Sequence, residues 1–319
     1  MIVHYSKSHR IQANIPTFME YCKMYVIPGV GQFEPNVGQE KIIMAIERGE
    51  NILCNQCRQA GGTTLLALYA AYNLACRIRT IITFYGMNRA CGRDFAKKVT
   101  YMAENITHVS VKNDSEMITC SDTDSKLIIC TDNGENKCFA NGLDYSYINI
   151  VDGLSFFPED WKPLIPEDMY NQNVIFSVPA KKWHPSAFEK RVNDCLKFKN
   201  FYHYYEIPWY QTHLLDYERY IISWEKTIEN IPGRRYSIGE GKSTHPNMPN
   251  LEKLVHELLM NGFVPRTEQS IELEAKYGDD RESMLRELYC VVYVDDDGDD
   301  YDWPKSTVTI IDDEEDNDK

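Results

Sequence analysis

The chain has 319 residues, 43% of them hydrophobic, and a formal net charge of −14. This length suits one large domain, or one domain with a small appendage. No run of 18 apolar residues occurs and the N-terminus lacks the apolar core of a signal peptide, so we expect neither a membrane span nor secretion. The ten cysteines are scattered, and we expect them to be reduced thiols.

The acidity of the chain is concentrated at its C-terminus. Twelve acidic and two basic residues lie from Asp295 to Lys319, so this segment carries −10 of the net charge of −14 and leaves −4 for the rest. Its only apolar patch is Val308 to Ile311, so we expect a disordered acidic tail. The mildly acidic body does not indicate nucleic-acid binding, although it is compatible with a local basic face.

Alternating helix and strand patterns begin at Phe33. Apolar strands are predicted at Ile52–Leu53, Thr80–Tyr85, Met117–Cys120, Lys126–Cys130, Tyr147–Val151 and Asn173–Val178. Helices are predicted at Val37–Ile46, Thr63–Ala75 and Asn88–Glu104. This alternation predicts an α/β fold with a mostly parallel sheet that is flanked by helices.

The pattern changes near residue 231. A Gly-, Ser- and Pro-rich link is followed by predicted helices at Leu251–Met260 and about Glu268–Leu288, then by a short strand at Cys290–Val294. The expected organisation is an N-terminal arm (1–32), an α/β domain (33–230), a small helical C-terminal unit (231–294) and the acidic tail (295–319).

The segment Asn51 to Thr64 predicts a phosphate-binding loop. A short buried strand runs into a Gly-containing loop, and a helix begins at a Thr pair, which is the layout of a P-loop. The lysine that normally precedes the Thr pair is replaced by Gly62. The architecture therefore favours nucleotide binding, whereas the chemistry of the loop is incomplete.

Two further residues strengthen this interpretation. Asp152 ends an apolar strand, where a nucleotide-binding fold places the carboxylate that holds Mg²⁺. We expect this strand to lie next to the strand that leads into the loop, with the Asp152 carboxylate near Thr63 or Thr64. Gln39 lies upstream in an aromatic-Pro-x-x-x-Gln setting suited to reading an adenine edge. Each has an ordinary structural alternative: a strand-end cap for Asp152 and a solvated helix residue for Gln39.

The order of these segments resembles the ATPase domain of the large terminase subunit of tailed bacteriophages, the motor that packages DNA. The matching segments are Phe33–Gln39, Cys57–Thr64, Thr80–Glu104, Phe139–Gly142 with Tyr147–Gly153, Val174–Pro179, and Tyr204–Trp209 followed by Asp216–Glu229. The resemblance implies a P-loop NTPase-like fold, ATP with Mg²⁺ as the ligand, and a phage protein acting in the host cytoplasm. It implies nucleotide-binding roles for Gln39, Arg58, Gln59, Gly61, Gly62, Thr63 and Thr64, metal-binding roles for Asp152 and Thr63, and a coupling role for Ser177.

The departures from the family pattern concern catalysis. Gly62 removes the ammonium that neutralises the phosphates, and Gly153 stands where the family has its catalytic Glu. Asn141-Gly142 replaces an Arg-Gly pair, and Val178 interrupts the coupling motif. About 90 residues follow the ATPase-like region in this sequence, and because these are too few for the nuclease domain of a terminase, we expect that domain to be absent.

Three functions remain open on this sequence. The leading hypothesis is a degenerate terminase-like pseudo-ATPase, acting in viral DNA packaging or as an accessory to phage nucleic-acid or protein assemblies. The first alternative is a working ATPase with a deviant loop that uses Arg58, Thr63, Thr64 and Asp152. The second is a non-enzymatic interaction protein that binds no cofactor and whose acidic tail docks a basic partner or mimics DNA. Cys54 and Cys57 have metal-ligand spacing, but no second pair accompanies them, and we expect structural cysteines.

Overall fold

The computed structural model describes residues 15–114, 116–131, 146–157, 171–178, 186–216, 221–227, 236–237 and 250–292. Several sequence predictions fall outside these residues. They concern residues 1–14, the Phe139–Gly142 segment, Pro179, most of the link 231–249, the end of the strand expected at Cys290–Val294, and the acidic tail 295–319.

An eight-stranded sheet forms the centre of the fold. Its strands lie in the order β10 (His203–Ile207), β3 (Ile52–Gln56), β9 (Gln172–Ser177), β8 (Ser146–Asp152), β4 (Thr80–Gly86), β7 (Ser125–Cys130), β6 (Met117–Cys120) and β5 (Val111–Asp114). The first six are mutually parallel, and β6 and β5 are added antiparallel at one edge. The α/β fold with a mostly parallel sheet is therefore confirmed.

The helices of this unit are α1 (Phe18–Met24), α2 (Val37–Glu47), α3 (Gly62–Cys76), α4 (Arg89–Thr107), α5 (Ala187–Leu196) and α8 (Arg281–Glu287). Helix α3 is apolar on nearly all sides and almost wholly buried, as expected for a helix inside a layered core. Strands β3 and β4 are buried at every position because helices cover both faces of a parallel sheet.

The described part of the N-terminal arm packs on the same core. Phe18 and Tyr21 of α1 are buried, and the Phe18 ring lies 5.1 Å from the ring of Tyr69 on α3. The Tyr72 hydroxyl donates to the carbonyl of Pro16. A small hairpin of β1 (Val26–Ile27) and β2 (Gly31–Gln32) comes after α1.

The described residues divide into two compact units. The first holds residues 15–214 and 281–290, and the second holds residues 215–280 and 291–292, in each case within the described ranges. The expected helix over residues 268–288 is interrupted, because α7 (Glu268–Ala275) ends before a turn at Gly278, whose φ is +53°, and α8 belongs to the first unit.

The second unit is not purely helical. It contains an antiparallel three-stranded sheet of β12 (Tyr236–Ser237), β11 (Ile221–Thr227) and β13 (Phe263–Thr267), with α6 (Leu251–Met260) and α7. The sheet was not predicted, because Pro265 and Arg266 interrupt the apolar pattern of β13. The Trp224 side chain of β11 is buried.

Eight cysteines of the described residues are free thiols, but Cys130 is disulfide-bonded, so the expectation of reduced thiols throughout is wrong at that position. Burial raises the pKa of the Cys57 thiol to about 12, and it raises the pKa of Cys54 as well. Both therefore stay protonated at neutral pH, which agrees with structural cysteines. None of the described helices is long and apolar enough to cross a membrane.

Candidate functional site

The loop of residues 57–61 joins the end of β3 to the start of α3. The Cys57 amide donates to the Ile207 carbonyl of β10, which fixes the beginning of the loop at the carboxyl edge of the sheet. Gln59 and Gly61 have left-handed backbones with φ of 63° and 78°. The Gly61 carbonyl then accepts from the amides of Thr64 and Leu65 as α3 begins. The result is a tight turn that delivers the N-terminus of a 15-residue helix to the sheet edge.

Thr63 and Asp152 meet beneath this loop. The Thr63 hydroxyl donates to Oδ2 of Asp152 at 2.6 Å, so the expected proximity is present. The expectation that Asp152 lies on a strand adjacent to β3 is wrong, because β9 lies between β3 and β8. The first turn of α3 therefore spans the end of β9 to reach Asp152.

The carboxyl group of Asp152 is electrostatically unusual. Burial raises its pKa above the ordinary value, and the Thr63 hydroxyl and the positive charge of Lys98 act in the opposite direction. Desolvation is the largest cause, so the ionised form is disfavoured in the free protein. A bound cation would favour the ionised form.

Gln39 supports the loop from the first turn of α2. Its Oε1 accepts from the Asn36 amide, and its Nε2 donates to the carbonyl of Ala60 at 3.2 Å. A Cβ built at Gly61 would lie only 2.6 Å from this Nε2, and the φ of 78° disfavours any residue with a side chain there. The structure thus places the Gln39 amide against the loop itself, with both ends hydrogen-bonded within the protein. Its expected role in reading adenine stays a prediction.

Gln56, the last residue of β3, was not identified from the sequence. Gln56 is 5% exposed, and its Oε1 has no hydrogen-bond partner. A Cβ built at Gly62 would lie 2.5 Å from the Gln56 Cδ and closer still to the two amide heteroatoms. The side-chain amide of Gln56 therefore occupies the space that any side chain at position 62 would enter. The sequence feature that could have indicated Gln56 is a polar residue at the end of a wholly buried strand.

Arg58 extends from the front of the loop and pairs with α8. Its Nη2 lies 3.3 Å from Oε1 of Glu287, and the Arg58 side chain is 56% exposed whereas that of Glu287 is 6% exposed. The adjacent Arg286 forms a buried ion pair with Glu189 of α5 at 2.6 Å. The segment 281–290 is held further by the Trp209 amide, which donates to the carbonyl of Leu288. The sequence pattern assigns residues 281–290 to the C-terminal unit, so it did not predict this return to the first unit.

The turn after Asp152 is fixed by β9. Gly153 has a φ of 83°, and its amide donates to the carbonyl of Phe176. Ser177 is buried; its hydroxyl accepts from the Ser155 amide at 2.9 Å and lies 2.7 Å from the Ser155 hydroxyl. Ser177 thus joins the end of β9 to the turn that comes after Asp152. This arrangement is compatible with the expected coupling role, which stays a prediction.

The remaining expected residues lie on the loop and the start of α3. Gln59 is exposed at the tip of the loop, and Thr64 is half-buried one position after Thr63. Among the described residues, no group of three or more His, Cys, Asp or Glu side chains could hold a metal ion.

No protein-family model and no curated protein matches the chain. Among solved structures, the large terminase of the HK97 bacteriophage is similar over 89% of this chain and 54% of its own length, with a TM-score of 0.50 and 13% identity. The large terminase ATPase domain of Thermus phage P74-26 has a TM-score of 0.41 and 13% identity, covering 55% of this chain and 80% of that one. The large terminase of another thermophilic bacteriophage, solved in complex with ADP, has a TM-score of 0.44 and 14% identity, covering 57% of this chain and 48% of that one.

At such identities the likeness concerns the fold, and the HK97 match, with its TM-score of 0.50, supports it. The chain has the mixed α/β fold of a phage large terminase, with a mostly parallel sheet between helices. The chain spans about half the length of the HK97 protein. The resemblance drawn from the sequence is thus confirmed for the fold.

Proposed function

We propose that this chain is a terminase-like, packaging-related phage protein whose loop 57–61 binds the phosphates of a nucleotide and hydrolyses it weakly or not at all. The observation that carries the proposal is the hydrogen bond between Thr63 and Asp152 at the N-terminus of α3. It brings the hydroxyl and the carboxylate that a nucleotide-bound Mg²⁺ requires to the mouth of the loop.

The residues fit a nucleotide with Mg²⁺. The loop and the N-terminus of α3 present backbone amides and a partial positive charge, which favour a phosphate. Arg58 adds a mostly exposed guanidinium at the front of the loop. Asp152 and Thr63 supply oxygen ligands of the kind that Mg²⁺ prefers. When bound, Mg²⁺ would neutralise phosphate charge in a loop that lacks the usual lysine.

Weak hydrolysis is expected because two groups of the family pattern are missing. Gly62 supplies no ammonium, and Gly153 supplies no carboxylate to position or deprotonate a water molecule. Loss of one well-placed transition-state group typically costs about 10²–10³ in rate. We therefore expect turnover at least about a hundredfold below that of an active packaging motor.

Calorimetric titration of ATP, with and without Mg²⁺, tests the proposal on the wild-type chain and on Asp152→Asn. We expect saturable binding that Mg²⁺ strengthens, and an Mg²⁺ effect that is lost in the variant. No binding of ATP under either condition would contradict the nucleotide proposal. Robust hydrolysis abolished by Arg58→Ala would instead favour a working ATPase with a deviant loop.

The packaging role is tested in the phage. If the chain acts in packaging, its loss should leave capsids that assemble but contain no DNA, and an antibody against the chain should recover packaging proteins from infected cells. Capsids filled normally in its absence would contradict this role. The fold shared with the HK97 large terminase supports the proposal.

A further inference from the structure

Gln56 presents an unexplained polar group at the mouth of the loop. Gln56 is the last residue of the wholly buried strand β3. It is only 5% exposed, and its Oε1 makes no hydrogen bond. Buried polar side chains in folded proteins nearly always have a partner, so each exception needs an explanation. The unpartnered Gln56 atom is an acceptor, so an anion in the loop would be met by the N–H groups of the same amide after it turns. The orphaned amide therefore calls for an explanation in terms of function.

The position of the amide explains the glycine that replaces the lysine. Gly62 is the first residue of α3, and a Cβ there would lie 2.5 Å from the Gln56 Cδ. The preceding residue, Gly61, provides no side-chain hydrogen bond to cap the helix. The Gln56 amide thus stands at the uncapped N-terminus of α3, in the space of the side chain that position 62 lacks.

We propose that Gln56 is a phosphate-binding residue, whose side-chain N–H groups donate to an anionic oxygen held in the loop in place of a lysine at position 62. This inference rests on the proposed function, because it assumes a phosphate in the loop. A glutamine amide carries two N–H donors, and its terminal torsion is broad, so the amide can turn its donors toward an anion. A hydrogen bond to a charged acceptor is also stronger than one between neutral groups.

The exchange of an ammonium for a neutral amide has a chemical consequence. Gln56 would help to hold the phosphate, but it brings no positive charge to offset the charge that develops during hydrolysis. The loop would then retain affinity for nucleotide phosphates while losing much of its catalytic contribution. The glycine at position 62 and the glutamine at position 56 would then act together in place of the usual lysine.

The first test compares Gln56→Leu with the wild-type chain by calorimetric titration of ATP with Mg²⁺ at fixed ionic strength. Leucine keeps the approximate volume and removes the donors, so we expect affinity to fall about tenfold or more. The variant should be at least as stable as the wild type, because it removes a buried oxygen that has no hydrogen-bond partner. Unchanged affinity in Gln56→Leu would overturn the proposal.

Gln172→Leu is the matched control. Gln172 begins β9 at the opposite end of the sheet, where its Nε2 donates to the carbonyls of Ile46 and Glu50. Its replacement should lower stability and leave ATP affinity unchanged. An equal loss of affinity in this control would show that the Gln56→Leu effect reflects general destabilisation, and this outcome also overturns the proposal.

A second test exchanges the two residues. In Gly62→Lys the lysine meets the Gln56 amide, whereas in Gln56→Ala/Gly62→Lys the space is free. We expect introduction of the lysine to improve ATP affinity about tenfold more in the Gln56→Ala background than in the wild type. Equal effects of the lysine in both backgrounds would mean that the two positions do not share one space, and would contradict the proposal.

A direct measurement uses the unmutated chain. The side-chain amide resonances of ¹⁵N-labelled glutamines should include one that is absent in Gln56→Leu, and this resonance should shift when ATP with Mg²⁺ is added. Thr63→Ala separates the two proposals. If ATP binding depends on Thr63 but the Gln56 resonance does not shift, the proposed nucleotide site is supported and the proposed role of Gln56 is overturned. No ATP binding by the wild type overturns both.

Discussion

Gly153 stands where the terminase family has its catalytic Glu, and its backbone conformation disfavours a side chain there. Its φ of 83° lies in the left-handed region, and the Gly153 amide donates a hydrogen bond to the carbonyl of Phe176, which holds the turn. A Cβ there would meet only ordinary contact, 3.6 Å from Phe156 Cδ2, so the cost of a side chain is one of backbone conformation. Replacement by a residue with a Cβ should cost about 1–2 kcal/mol.

We therefore expect Gly153→Ala and Gly153→Glu to lose similar amounts of unfolding free energy in urea denaturation. The glutamate should also fail to restore ATP hydrolysis, because position 62 still lacks a cation. A stable, active Gly153→Glu would show that the turn relaxes readily and that the loop needs no lysine.

Asp152 gives the site a pH dependence. Burial raises its pKa in the folded protein, so the contribution of Asp152 to stability is fully present below its ordinary pKa of about 4 and declines as pH rises through the raised value. Asn at this position can still accept the Thr63 hydrogen bond, and it does not ionise. The unfolding free energy of Asp152→Asn minus that of the wild type should therefore increase from pH 4 to pH 7.

Denaturant titrations of both chains at several pH values measure this difference. Thr63→Val serves as a companion variant, because it removes the donor that partly offsets burial. It should raise the Asp152 pKa further and move the transition to higher pH. A difference that stays flat or decreases between pH 4 and pH 7 would show that Asp152 ionises without cost.

Sequence patterns identified Thr63 and Asp152, because a strand-end carboxylate and a hydroxyl at a helix start recur in nucleotide sites. They could not identify Gln56, since its proposed role depends on how its side chain fills the space beside Gly62. They also could not predict the Gln39 contact with Ala60. Both contacts join residues of different elements, and a single sequence does not show which side chain fills which space.

At the scale of elements, α8 is the least predictable part of the unit. Arg286 and Glu189 form an ion pair in which the residues are only 1% and 2% exposed. Loss of one partner leaves a buried charge, which typically costs about 3–5 kcal/mol, whereas replacing both by apolar residues is often neutral. The pair should therefore fix α8 beside the loop that carries Arg58.

We expect Arg286→Leu to lose about 3 kcal/mol or more of unfolding free energy and Glu189→Leu/Arg286→Leu to recover most of it. Equilibrium denaturation of the two variants and of Glu189→Leu gives the coupling energy. A double variant as unstable as the sum of the two single variants would show that the residues contribute independently.

Most strands and helices of the first unit were predictable from apolar runs and helical periodicity, as at Thr80–Gly86 and Arg89–Thr107. The break between α7 and α8 was missed because residues 268–288 contain no proline, and Gly278 alone was too weak a signal. The strand β13 was missed because a proline in a short strand pattern argues against strand.

At the scale of the whole molecule, residues 215–280 of the second unit lie in sequence between residues 214 and 281 of the first, and the described residues 291–292 belong to the second unit again. Chain order alone suggested consecutive domains. The return of residues 281–290 depends on long-range contacts, such as the bond from Asn55 Nδ2 to the carbonyl of Cys290.

The acidic tail supports a prediction about partners. Its charge of −10 should attract a basic surface, with Trp303 and Ile310 as apolar anchors. A version that ends at Val294 should lose one partner in pull-downs from infected cells. High salt should weaken the same contact, since the Debye length falls from about 10 Å at 0.1 M to about 3 Å at 1 M.

The matched control is the full chain with Trp303→Ala and Ile310→Ala, which keeps the tail charge. It should lose the partner if the anchors matter. Identical partner lists for the full and shortened chains, at low and high salt, would reduce the tail to a segment that promotes solubility.

The central claim is that the loop has kept phosphate binding and lost most of the chemistry. The most direct measurement incubates the wild-type chain with ATP and Mg²⁺ for several hours, separates the protein from free nucleotide and identifies the bound species. We predict a stoichiometric nucleotide that is mainly intact ATP, with Asp152→Asn retaining much less. Protein recovered without nucleotide, or with ADP formed over many turnovers, would contradict the claim.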